Sequence, residues 1–89
     1  MAWNFELVAG PFGFTEGPAW DGVALLFTDI PHSRIMRYNP YSGETTLFRE
    51  GTNEANGLMF DKEGHLYGCE GGGRRIWCAT MPMALPPSL

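Results

Sequence analysis

The sequence predicts an all-β fold of short antiparallel strands in blade-like sheets, and three observations carry that prediction. The first is an internal repeat. Thr15-Glu16-Gly17-Pro18-Ala19-Trp20-Asp21 is echoed forty positions on by Asn56-Gly57-Leu58-Met59-Phe60-Asp61, each copy running polar residue, Gly, apolar pair, aromatic, Asp. Leu26-Phe27 precedes Leu66-Tyr67 and Arg34 precedes Arg74 by the same interval, and Ile35 aligns with Ile76 when one residue is added. A repeat of about forty residues built from short strands is the pattern of a propeller blade or a related β-array. The second is the count of 12 Gly and 7 Pro, which suits a turn-rich β chain better than a helical one. The third is a composition 44% hydrophobic and 13% aromatic, which argues against disorder.

Each element follows from local pattern. Phe5 to Ala9 alternates briefly and stops at Gly10-Pro11, which predicts a short strand and a turn. Gly17-Pro18 places a proline where only a strand start or edge tolerates one, so the next strand is expected over Ala19 to Asp21. Asp21-Gly22 is a hairpin signal. Ala24 to Ile30 is apolar and β-prone, as a strand buried on both faces would be. Pro31-His32-Ser33 turns the chain, and Arg34 to Tyr38 alternates charged and apolar residues. Asn39 to Glu44 is a hairpin loop with Gly43 where a positive φ is needed. Thr45 to Phe48 completes a four-stranded sheet. The second copy gives strands at Leu58 to Phe60, His65 to Cys69 and Arg75 to Ala79. Residues 1–79 are thus read as one and a half blades. The proline-rich 80–89 is read as a disordered tail foreign to the repeat, because proline cannot donate to a strand ladder. Such an ending is what a truncated or frame-shifted coding region would produce.

Eighty-nine residues make at most one small domain, whose core would be marginal by itself. A net charge of −4 offers no basic face for nucleic acid and no polybasic stretch for a membrane surface. No apolar run reaches the ~20 residues that span a bilayer, and no secretory leader pattern opens the chain, so a cytoplasmic location is expected. Cys69 and Cys78 match no zinc or redox spacing and read as partly buried thiols. Open sheet edges would invite self-association.

Glu16 and Asn56 occupy one position in the two copies, just before each first strand. In a propeller those strands line the central channel, so the two side chains would converge from adjacent blades. A carboxylate and an amide carbonyl suit a hard cation, and Asn56 could equally orient a substrate hydroxyl or bond its own turn. Other residues have blander readings. His32 and His65 read as surface histidines, and Asp29 caps the turn to Arg34. Gly71-Gly72-Gly73 is a weak phosphate nest without a following helix. Trp20, Phe27, Phe60 and Tyr67 recur at matched positions and are expected in the core.

The segments Glu16-Gly17-Pro18-Ala19-Trp20, Leu26 to Pro31 with Arg34-Ile35, and Asn56 to Asp61 with Gly64-His65-Leu66 resemble the opening of the gluconolactonase family. That family includes regucalcin (senescence marker protein) and the luciferin-regenerating enzymes. The resemblance covers residues 5 to 77. It implies part of a six-bladed propeller that hydrolyses lactones or related esters with one divalent cation, calcium first, with zinc, magnesium or manganese as alternatives. It assigns Glu16 as a metal ligand, Asn56 as a contact to substrate or to a metal-bound water, and a small lactone or sugar acid as the substrate. Gly71 stands where many bacterial members carry His, and the family's later ligands have no counterpart here. With an incomplete ligand set the chain alone is expected to be inactive. Two rivals remain open: a non-catalytic binding propeller, whose blades share the Leu26 to Asp29 and Arg34-Ile35 pattern, and a non-functional gene fragment.

Overall fold

The structure is a computed structural model and describes residues 3–79. Seven strands appear in chain order: β1 Thr15–Trp20, β2 Leu25–Asp29, β3 Arg34–Asn39, β4 Glu44–Glu50, β5 Ala55–Phe60, β6 Leu66–Glu70 and β7 Arg75–Ala79. A single 3-10 turn, Ile30–His32, with Pro31 in it, separates β2 from β3. The strands form two antiparallel sheets in the orders β1-β2-β3-β4 and β5-β6-β7. The expected all-β architecture of about one and a half blades is what is found.

β1 and β5 begin earlier than the sequence suggested. Both include the residues before the apolar segment, so Glu16 and Asn56 lie within the first strands and not ahead of them. Each strand carries a register shift at that point, between Glu16 and Ala19 in β1 and between Ala55 and Leu58 in β5. A bulge absorbs the extra residue and bends the strand, which lets Pro18 sit in β1, an edge strand, without breaking it. The expected strand at Phe5 to Ala9 is absent. Phe5 and Leu7 are fully exposed and pair with no strand, and a strand without a hydrogen-bonded neighbour has no ladder to hold it. The tail reading of 80–89 lies outside the described residues.

The two sheets are equivalent, with one difference in their first turns. In the first, Trp20 pairs with Leu25; in the second, Phe60 pairs with Leu66, one residue further on. From there the equivalence runs at forty-one positions and not forty. Leu26 corresponds to Tyr67, Asp29 to Glu70, and Arg34 to Arg75, so the alignment of Arg34 with Arg74 is corrected. Because side chains alternate faces, this single residue decides which face each one joins.

The core lies between the sheets. Leu26 and Ile35 from the first meet Leu58 and Leu66 from the second, with Ala19, Phe48, Phe60, Trp77 and Ala79 packed around them. Each such side chain taken from water contributes about 2 kcal/mol. Phe27 is buried under Phe12, whose ring meets it edge-on at 5.1 Å. Trp20 and Tyr67 are not core. They are 51% and 39% exposed, Tyr67 because it stands on the face of the second sheet turned away from the first.

Candidate functional site

Glu16 pairs with Thr28 across the first sheet, and the buried Thr28 hydroxyl donates to the Glu16 carbonyl oxygen at 2.9 Å. This fixes the backbone and leaves the side chain at the surface. Among the described residues its carboxylate accepts only the neighbouring Gly17 N–H, on Oε2 at 2.9 Å, so lone pairs remain for a further partner. Gly17 itself is buried, at φ +57°, and a β-carbon there would collide with the Asn56 carbonyl oxygen. β1 and β5 therefore touch backbone to backbone at the two bulges. Glu16 and Asn56 are brought to adjacent strands, and the Asn56 side chain is exposed. Two oxygen donors with no strong internal partner are compatible with part of the shell of a hard cation.

The buried acids beside this point serve the fold. Asp29 Oδ1 accepts the N–H groups of Gly13 at 3.1 Å and Phe14 at 3.4 Å, and its Oδ2 accepts Arg34 at 2.9 and 3.1 Å and bonds His32 Nδ1 at 3.0 Å. Burial pushes this carboxyl up, but Arg34 and the other donors outweigh burial and hold it below the usual range. With both oxygens so occupied, Asp29 braces the turn to Arg34 as expected, through the His32 and Arg34 side chains and with no side-chain bond to the backbone of the Ile30–His32 turn itself. Glu70 repeats the device: its Oε1 accepts Arg75 Nε at 2.9 Å and Asn53 Nδ2 at 3.2 Å. Burial again opposes, and these two partners lower its pKa. The acid–arginine pair recurring at matched strand ends escaped sequence reading. Asp29…Arg34 and Glu70…Arg75 share a five-residue spacing that would have revealed it.

Asn53 and Glu54 both adopt positive φ, and their carbonyls accept the N–H groups of Gly72 and Gly71 at 2.9 and 3.1 Å. Those amides are therefore engaged, which removes the phosphate-nest reading of the glycine loop. Asp61, Glu63 and His65 bring ligand atoms within 4.8 Å of one another in the first turn of the second sheet. Asp61 is committed to that turn. Its Oδ1 accepts Glu63 and His65 N–H at 2.9 Å each, and its Oδ2 bonds His65 Nδ1 at 2.9 Å and accepts Tyr67 O–H at 3.1 Å. The His65 N–H and the other donors bring its pKa to about 2. Asp21 does the same work in the first sheet, accepting Val23 and Ala24 N–H at 2.8 Å and pairing with Arg37 at 2.8 Å. The two histidines expected at the surface are each tied to a carboxylate, His32 to Asp29 and His65 to Asp61.

Blade-like sheets stacked face to face with their first strands in contact define a β-propeller protein. The family described as SMP-30/Gluconolactonase/LRE-like region matches residues 14–85, and the chain belongs to it. That match enters the segment after residue 79. A gluconolactonase from Xanthomonas campestris is similar at 25% identity and a TM-score of 0.77, over 83% of this chain and 25% of that one. A second solved structure, assigned provisionally to the gluconolactonases, is similar at 28% identity and a TM-score of 0.76, over 85% of this chain and 27% of that one. The chain spans about a quarter of the length of each. No curated protein matches it. Among the described residues no helix is long and apolar enough to cross a membrane.

Proposed function

We propose that this chain forms the opening blades of a metal-dependent hydrolase of small lactones or related sugar-acid esters. Glu16 is a ligand of the divalent cation, calcium first and zinc, magnesium or manganese as alternatives, and Asn56 contacts the substrate. The observation that supports this reading is the close packing of Gly17 on the Asn56 carbonyl, which sets Glu16 and Asn56 on touching strands at matching bulges. Family membership supports the reaction class.

When bound, the cation would polarise the lactone carbonyl and lower the pKa of a water. The residues of this chain have narrower tasks. Glu16 holds one position of the shell as a carboxylate, while Thr28 fixes the backbone that carries it. Asn56, on the adjacent strand, hydrogen-bonds a substrate hydroxyl or ring oxygen. Calcium takes six to eight oxygens, so these two residues alone bind it weakly and turnover needs donors from further blades.

The test is titration of the chain with calcium, manganese and terbium, the last followed by its luminescence, together with an assay of lactone opening. Weak binding that drops at least about tenfold in Glu16→Gln, a change of ~1.4 kcal/mol, is expected. Lactone opening is expected to stay at the uncatalysed rate. Equal binding by wild type and Glu16→Gln would remove Glu16 as a ligand and leave a non-catalytic binding propeller as the better account. Metal-dependent turnover lost in that variant would overturn the view that the chain alone is inactive.

A further inference from the structure

Thr28 is wholly buried, yet its hydroxyl serves a residue at the surface. Thr28 pairs with Ile35 on β3 and lies two positions from Leu26, so it shares the face that meets the second sheet. A hydroxyl in such apolar surroundings is costly unless it is bonded. Here it donates at 2.9 Å to the carbonyl oxygen of Glu16, the residue opposite it on β1. Both partners lie within the first sheet.

The carbonyl of Glu16 and the N–H of Gly17 are opposite edges of one planar peptide group. The Thr28 hydroxyl fixes the first edge, and the second donates to the Glu16 carboxylate at 2.9 Å. Thr28 thus reaches the carboxylate through a rigid plate, and hydrogen bonds linked in this way also polarise one another. The strand ladder does little to hold that plate. The register against β2 shifts between Glu16 and Ala19, Pro18 has no N–H to give, and Gly17 has no side chain to limit rotation. In the second sheet Asn56 and Cys69 hold the places of Glu16 and Thr28, and a thiol is only a weak donor. The hydroxyl accompanies the copy that carries the carboxylate.

We propose that Thr28 is a positioning residue for the cation site. It holds the Glu16–Gly17 peptide group so that the Gly17 N–H keeps the Glu16 carboxylate in the orientation in which it meets the ion. This rests on the reading of Glu16 as a ligand. The hydroxyl touches neither ion nor substrate and acts only through Glu16. Partners that orient a ligand from behind typically change metal affinity by about 10–100-fold when removed. A smaller effect is expected here, because the hydroxyl acts through a peptide group and not on the carboxylate itself.

Two measurements on the full chain test this. Without metal, the Gly17 amide proton resonance is expected to move as Glu16 ionises. That response should be lost in Thr28→Val and kept in Thr28→Ser. Terbium titration followed by luminescence reads the site itself. Thr28→Val is expected to weaken binding about threefold to fivefold, and Thr28→Ser to stay within about twofold of wild type. In the Glu16→Gln background, Thr28→Val should change nothing further, because no carboxylate is left to position. Terbium held by other acids, such as Asp61 and Glu63, is indifferent to both changes. Binding is compared where circular dichroism shows every variant folded. Should Thr28→Val not fold, Thr28→Cys, which installs the residue of the matched place in the second sheet, replaces it. If Glu16→Gln weakens binding but Thr28→Val does not, Glu16 stays a ligand and the proposal is overturned. It is overturned equally if Thr28→Val weakens binding as much without the Glu16 carboxylate as with it, or leaves the Gly17 response intact. Equal binding by wild type and Glu16→Gln removes the ligand reading and the proposal with it.

Discussion

The carbonyl oxygen of Asn56 fills the space beside Gly17 that a β-carbon would need. Gly17 is also held at φ +57°, where an L side chain is strained. Gly57 has the same place in the second copy, yet a β-carbon there would find only the Cys69 sulfur, at 3.8 Å. The difference is the neighbour: β5 lies against Gly17, and no strand of the described residues lies against Gly57.

The two glycines should therefore respond differently to one methyl group. Gly17→Ala adds left-handed strain of ~1–2 kcal/mol and an overpacking cost of similar size, for a loss of about 3 kcal/mol. Gly57→Ala should stay within about 1 kcal/mol of wild type. Urea denaturation of both variants measures this, and equal losses would mean that the β1–β5 contact is not as described.

Gly68 makes a second such test inside one sheet. The ring of Trp77 lies where its β-carbon would be, across the β6–β7 pair. Gly68→Ala should displace the indole, cost about 2 kcal/mol, and shift the emission of Trp77 toward that of an exposed tryptophan. Trp3 and Trp20 replaced by Phe isolate the signal. Unchanged emission would show that the ring does not rest on Gly68.

Asp29 should give the fold part of its pH dependence. Its folded pKa is depressed, so the stability it contributes is present above the unfolded value of about 3.9 and is lost as pH falls through the folded value. Asp29→Asn is expected to cost about 2 kcal/mol at neutral pH, below the usual range for a broken buried pair because Arg34 is 34% exposed. The variant should also lose less stability than wild type between neutral pH and the region below pH ~4. Parallel stability–pH curves for the two would exclude this role.

Glu16→Gln separates chemistry from stability. Glu16 is exposed, and its one side-chain bond among the described residues, from Gly17 N–H, can be accepted by an amide oxygen as well. Stability should change by less than about 0.5 kcal/mol while cation binding weakens. A large loss of stability would reassign the residue to the fold.

Much of this was legible in the chain itself. The repeat beginning at Glu16 and Asn56 gave the blade plan, and Asp21 and Asp61 lie in the first turns where the Asp of each motif pointed. The positive φ of Gly43 was readable from its hairpin loop. The link from Asp29 to Arg34 was legible, but its recurrence at Glu70 and Arg75 was missed, because the forty-residue alignment set Arg34 against Arg74 and hid the shared spacing. The Phe5 to Ala9 segment misled for a different reason, since alternation marks a strand only where another strand is ready to pair with it.

What the sequence determined alone was the order and antiparallel sense of the strands from Glu16 onward, the family, and Glu16 and Asn56 as the residues to examine. Tertiary structure decided which faces are buried. Leu26 and Leu66 match at forty positions and both are buried, yet they lie on opposite faces of equivalent sheets, because the second turn is one residue longer. Alternation along a strand fixes that two faces exist. Only the approach of a neighbouring sheet, here β5 against β1, makes one of them a core and leaves the other, at Met59 and Ile76, open to water.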